Sequence, residues 1–129
     1  MTVGTSRKTY AAGEPVTLVL TNGSNKTVYS LARSQQPGRA VRNFEIKNPR
    51  GIWDAFFLKN RKGADSDFEA AGAIKPGQSI SFDWQPEVLV NGEVTAPGPG
   101  LYRITVIYHT RQGKRLIFGT CKSNDFNIE

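Results

Sequence analysis

The sequence predicts an all-β fold, an antiparallel β-sandwich of about seven to nine strands. Three observations carry this. Short runs alternate apolar and polar residues with a period of two, and no helical period of useful length appears. Turn-forming pairs separate the runs, drawn from thirteen Gly and seven Pro. The 129 residues, 38% hydrophobic and 22% charged, suit one domain that buries its own core. A single unit is expected over residues 1–129, with the folded part beginning near residue 5.

The elements follow in order. Val16-Thr-Leu-Val-Leu-Thr21 places Val16, Leu18 and Leu20 on one face, and Asn22-Gly23 is expected to turn the chain at positive φ. Lys26–Leu31 reads as a strand with Val28 and Ser30 on one side and Tyr29 and Leu31 on the other. Ser34–Gly38 is loop. Arg42–Lys47 alternates with Phe44 and Ile46 inward, and Asn48-Pro-Arg-Gly51 turns. Ile52–Leu58 is apolar on both faces, so it is expected to be central or covered by a loop. Residues 59–73 read as a long connection with at most a short helical turn.

After the turn Lys75-Pro-Gly-Gln78, the run Ser79–Trp84 sends Ile80, Phe82 and Trp84 inward. Asn91-Gly92 inside Val88–Val94 predicts a small hairpin. Ala96-Pro-Gly-Pro-Gly100 is a stiff corner before the strongest strand, Leu101–Tyr108, with Tyr102, Ile104, Val106 and Tyr108 on one face. Gln112-Gly113 turns into Leu116–Phe118, and Phe126 and Ile128 close the sheet.

Several function classes lose ground at once. Cys121 is the only cysteine and His109 the only histidine, so an intrachain disulfide is impossible and a zinc site would need carboxylates, of which none has the right spacing. Cys121 reads as a small packed hydrophobe rather than a nucleophile. No P-loop, Gly-x-Ser-x-Gly or His-Glu-x-x-His pattern occurs, and the eleven acids are dispersed, so catalysis is not expected. Asp65-x-Asp67-x-Glu69 alternates oxygen ligands, but the sixth position from Asp65 is Ala70 where a calcium loop needs glycine. No cofactor is expected.

The net charge of +6 is scattered, with small clusters at Arg39–Arg42, Lys59–Lys62 and Arg111–Arg115. It reads as a solubilising surface and argues against a nucleic-acid binder. No run approaches the ~18 apolar residues of a membrane span, and the first ten residues lack a signal-peptide core. A complete chain is expected in the cytoplasm. A processed or excised domain with an added Met1 belongs in an envelope or extracellular setting. Asn22-Gly-Ser24 and Asn25-Lys-Thr27 match the glycosylation pattern, which matters only in a eukaryotic secretory pathway.

Three segments carry a resemblance. Tyr10-Ala-Ala-Gly-Glu-Pro-Val-Thr-Leu-Val-Leu-Thr-Asn22 has a Y-x-x-G-E opening. Lys75-Pro-Gly-Gln-Ser-Ile-Ser-Phe-Asp-Trp84 has a PG-x-S turn, and Pro97-Gly-Pro-Gly-Leu-Tyr-Arg-Ile-Thr-Val106 leads to Phe126-Asn-Ile128. In this order the chain resembles bacterial immunoglobulin-like domains, and it is similar to the BsuPI-type intracellular proteinase inhibitors. The 59–73 connection and the double Pro-Gly at 97–100 depart from the latter group. The resemblance implies an immunoglobulin-like sandwich, with Tyr102 placing its ring in the core and its hydroxyl on backbone, and Trp84 filling the space between sheets.

The function expected is a non-catalytic protein-interaction or structural module, part of a larger bacterial assembly or envelope protein. Its candidate partner-binding residues are Trp53, Phe57, Arg61, Lys62, Asp65 and Asp67. Trp53 and Phe57 share one side of their run, and the charged residues follow immediately. The alternatives are a proteinase inhibitor that offers residues 59–73 or 85–100 to a serine protease, and a carbohydrate-binding module using Trp53.

Overall fold

The computed structural model describes residues 1–56 and 70–129. Two sheets face each other across one apolar core. The smaller contains β1 (Thr2–Thr5), β3 (Val16–Thr21) and β8 (Ser79–Trp84), paired antiparallel in the order β1-β3-β8. The larger is built around β11 (Gly100–Gln112), a strand of 13 residues. The first part of β11 lies between β5 (Val41–Lys47) and β13 (Phe126–Ile128). Its second part pairs with β12 (Arg115–Lys122) and, at His109, with β4 (Val28–Ser30). β6 (Trp53–Phe56) extends the sheet beyond β5, β7 (Gly72–Ile74) beyond β4, and β2 (Thr9–Tyr10) pairs in parallel with β13. The N-terminal segment therefore switches sheets between β1 and β2. A separate two-stranded ribbon is formed by β9 (Val88–Val90) and β10 (Glu93–Thr95).

The alternation read from the sequence fills the core. Val16, Leu18 and Leu20 of β3 and Phe82 and Trp84 of β8 meet Phe44, Tyr102, Ile104, Val106, Phe126 and Ile128 of the other sheet. Phe44 lies at the centre. Its ring stacks on Tyr102 at 4.7 Å, meets Trp84 edge-on at 4.9 Å and touches Phe56 at 5.7 Å.

The segments behind the resemblance have physical jobs. Tyr10 is buried and its hydroxyl accepts the Arg7 N–H, while the Glu14 carboxylate accepts the Ala11 N–H and meets Arg7. The Glu14 pKa is lowered, first by the Ala11 N–H and then by Arg7. Tyr102 donates its hydroxyl to the Gly98 carbonyl at 2.6 Å, which ties the Pro-Gly corner to the core. Burial raises the pKa of that phenol.

Several expectations are corrected. Thirteen strand segments occur among the described residues, because β1, β2 and β7 are too short to show a period and the hairpin read as one run is two strands; β12 continues to Lys122 instead of stopping at Phe118. Asn22-Gly23 is not a positive-φ turn. Asn22 is wholly buried, with 0% exposure. Its amide donates to the carbonyls of Lys26 and Ile74 at 2.7 and 2.9 Å, and its oxygen accepts the Ser24 N–H and hydroxyl. Six residues therefore separate β3 from β4, where the expected strand starting at Lys26 leaves four. Leu31 leaves the strand for a 3-10 turn over Leu31–Arg33, capped by the Ser30 hydroxyl, and a second such turn spans Pro37–Ala40. β7 begins within the 59–73 stretch read as connection, and Gly72 is there because a Cβ would lie 2.6 Å from the Arg33 carbonyl oxygen. β6 pairs only with β5 among the described residues, so it is not central there, and Ile52 beside it is exposed.

Candidate functional site

The β9–β10 hairpin has the most distinctive placement. Its Asn91-Gly92 turn is the expected one, with φ of 52° and 81°, both in the left-handed region. The register Val90↔Glu93, Leu89↔Val94 closes the two-residue loop. A two-stranded ribbon is marginal in water by itself. Here both ends are fixed to the sandwich. Pro86, Val88 and Pro97 are buried, Gln85 Nε2 donates to the Gly13 carbonyl at 3.0 Å, and Tyr102 holds Gly98. Beyond these anchors the ribbon pairs with no other strand among the described residues. Val90 is 47% and Val94 46% exposed, on opposite faces of the ribbon by alternation.

Of the residues singled out from the sequence, Trp53 is described and Phe57, Arg61, Lys62, Asp65 and Asp67 lie outside the described residues, as does Glu69. Trp53 is half-buried on the outer face of the large sheet. The Arg103 guanidinium covers its ring at 4.2 Å. Arg103 in turn pairs with Glu45 through Nε at 3.2 Å and its terminal nitrogen at 3.3 Å. The aromatic is thus occupied on one face by a cation whose charge is already matched. The sequence held all three residues, but only the β6-β5-β11 order brings them side by side.

A cleft of about 690 Å³ lies beside the two 3-10 turns, lined by Leu31, Arg33, Gln36, Arg39 and Ala70 among others. Among the described residues no group of three or more His, Cys, Asp and Glu is placed to hold a metal. No helix there is long and apolar enough to cross a membrane.

His109 and Cys121 do not form a dyad. Cys121 is opposite Val106 and His109 opposite Phe118, three positions along β11, so alternation sends the two side chains to opposite faces. His109 is wholly buried, stacked on Tyr29 at 5.5 Å, and its Nε2 receives the Arg111 Nε–H at 3.4 Å. Arg111 also lies over Tyr29 at 3.9 Å. Burial first, and then the Arg111 charge, holds the His109 pKa below the ordinary imidazole value.

That shift has a definite sign. The unfolded chain takes a proton on this histidine near pH 6.5, and the folded chain does so only lower. The stabilisation from neutral His109 is complete above about pH 6.5 and falls as the pH drops toward the folded value. Urea midpoints at pH 7.5 and pH 5.5 are expected to fall more for the wild type than for His109→Asn. Equal falls would remove His109 as the cause.

Burial pushes the half-buried Cys121 thiol up to about 11. Its thiolate is scarce at pH 8, and the higher intrinsic nucleophilicity of a basic thiolate offsets only part of that scarcity. Reaction with a disulfide reagent at pH 8 is expected to be at least about tenfold slower in the native chain than in urea. Equal rates would mean that burial does not restrain the thiol.

No protein-family model matches this chain, and no curated protein matches it.

Proposed function

We propose that this chain is a non-catalytic protein-interaction module of the bacterial immunoglobulin-like kind, an accessory subunit or domain of a larger assembly, and that it docks through the β9–β10 hairpin. The observation that carries this reading is the pairing of firm anchors at the base of the ribbon with exposed Val90 and Val94 toward its tip. Exposed valines on a pre-shaped ribbon supply apolar contact area without the entropic cost of ordering a loop. The two sheets, with β1 in one and β2 in the other, suit the immunoglobulin-like resemblance.

The test replaces Val90 and Val94 together by glutamate and places a photo-crosslinking residue at position 90 of the parent chain. A partner captured by the wild type and crosslinked at 90 is expected to be lost at least about tenfold in the double variant, with thermal stability unchanged. Capture that survives the substitution removes the hairpin from the interface.

A second reading, the BsuPI-type inhibitor, draws on the same anchors, since a protease-resistant loop must be held at both ends. Stoichiometric loss of subtilisin-type activity with the chain intact would favour it. Rapid cleavage between Val88 and Thr95, or no inhibition, would set it aside for that protease class. The carbohydrate reading has less support, because Arg103 already covers one face of Trp53.

A further inference from the structure

The β9–β10 hairpin is strung between the end of β8 and the start of β11. A second surface, independent of it, lies at the opposite end of the sandwich, where the large sheet runs β12-β11-β4-β7. The pairs His109↔Tyr29 and Val28↔Ile74 fix how these strands finish. Antiparallel pairing carries Arg111, beyond His109, to the same end as Lys26 and Lys75, beyond Val28 and Ile74. The turn between Gln112 and Arg115 brings Lys114 and Arg115 there as well. Four neighbouring strands therefore finish in cations over a width of about 15 Å. All five residues are exposed.

The backbone under these cations is held in place. The buried Asn22 amide donates to the carbonyls of Lys26 and Ile74 at 2.7 and 2.9 Å, which draws the two lysine segments together. Gln78 Oε1 accepts the Lys75 N–H at 3.0 Å. Arg111 lies over Tyr29 at 3.9 Å and donates to His109 Nε2, which ties the end of β11 to β4. Among the described residues none of Lys26, Lys75, Lys114 and Arg115 is in an ion pair. The segments that form this end, residues 21–28, 74–79 and 109–116, contain no Asp or Glu. Glu87 and Glu93 belong to the hairpin end instead.

We infer that this cationic end seats the chain on a bilayer surface rich in anionic lipid. Lys26, Lys75, Lys114 and Arg115 come from strand ends and turns, so they can meet one broad anionic surface together, and each adds a few-fold to the affinity. Three of the four are lysines, point charges that suit a diffuse surface better than the aligned carboxylates of a peptide. A nucleic acid finds no ring to stack on, because Tyr29 is covered by Arg111 and stacked on His109. Seated this way, the chain holds the β9–β10 hairpin away from the bilayer, where a protein partner can reach it.

The probe is a vesicle of about seven parts phosphatidylcholine to three of phosphatidylserine, sedimented with the full chain at low salt. Binding is expected to be at least about thirtyfold tighter than to phosphatidylcholine alone, and about tenfold more salt should release it. Lys26→Glu with Lys75→Glu, and separately Lys114→Glu with Arg115→Glu, should each weaken binding at least about tenfold. Lys47→Glu with Arg50→Glu makes the same change in net charge beside the start of β11, at the hairpin end. That pair should weaken binding less than about threefold. A nitroxide-headgroup lipid should broaden the amide signals of residues 26, 75, 114 and 115 and spare those of 47 and 50, a readout that needs no variant to fold. Equal binding to both vesicles, or equal losses for all three charge reversals, would overturn the inference. Tighter binding to duplex DNA or to polyglutamate than to the vesicles would overturn it in favour of that partner. Release by inorganic phosphate at constant ionic strength would also overturn it, leaving a phosphate site in its place.

Discussion

Replacing Asn22 by alanine is expected to cost about 3 kcal/mol of folding stability, although the position reads in sequence as an ordinary surface turn. Its amide nitrogen serves two carbonyls, of Lys26 and Ile74, and its oxygen receives two donors from Ser24. Its backbone also bridges, with N–H to the Gln78 carbonyl at 3.0 Å and C=O to the Gly77 N–H at 2.7 Å. Alanine keeps the backbone pair and deletes all four side-chain bonds. The Ile74 carbonyl is then left buried without that donor, at about 1–3 kcal/mol, and the lost turn bonds add to this. Asn22→Asp should be no better, since a carboxylate would face two carbonyls. Urea unfolding with an unchanged slope measures the cost, and a loss under about 1 kcal/mol would show that water replaces the amide. The same burial makes Asn22 inaccessible as a glycan acceptor, whereas Asn25 is exposed.

Phe44→Ala is expected to cost about 4 kcal/mol. The ring has no exposure and is the meeting point of Trp84 from the small sheet with Tyr102 and Phe56 from the large one. Truncation removes the transfer free energy of the ring and leaves a cavity between two sheets whose strands cannot close over it. Phe44→Leu should recover more than half, because most of the volume returns. Trp84 fluorescence gives an independent readout, since its neighbour is lost. A cost near 1 kcal/mol would mean that the sheets collapse into the space, and the core would then be more plastic than its packing suggests.

Much of this architecture is legible in the residues alone. Alternation within Val16–Thr21 and Ser79–Trp84 needs only the strand period, and the observed burial follows it residue by residue. Asn91-Gly92 needs only its tolerance of positive φ, and the hairpin is there. Tyr102 beyond the Pro-Gly corner likewise places ring and hydroxyl as its position implies. These features are local: a few neighbouring residues determine them.

What only the tertiary structure decided depends on strand neighbours far apart in the chain. Asn22-Gly23 has the composition of a tight turn, yet the carbonyl of Ile74, fifty-two positions on, captures the amide and draws the residue inward. His109 follows an apolar run and reads as its polar end, but Tyr29 and Phe118 flank it on neighbouring strands and hold it inside. Trp53 reads as a free aromatic until sheet order places Arg103 over it and Glu45 beside that charge. By itself, the sequence determined the alternation, the Asn91-Gly92 hairpin and the apolar residues of β3, β8 and the start of β11 that fill the centre of the core. Pairing across long separations decided which polar residues are buried and which aromatic rings are covered, since a hydrogen bond or a stacked ring needs two groups that the local pattern never sees together.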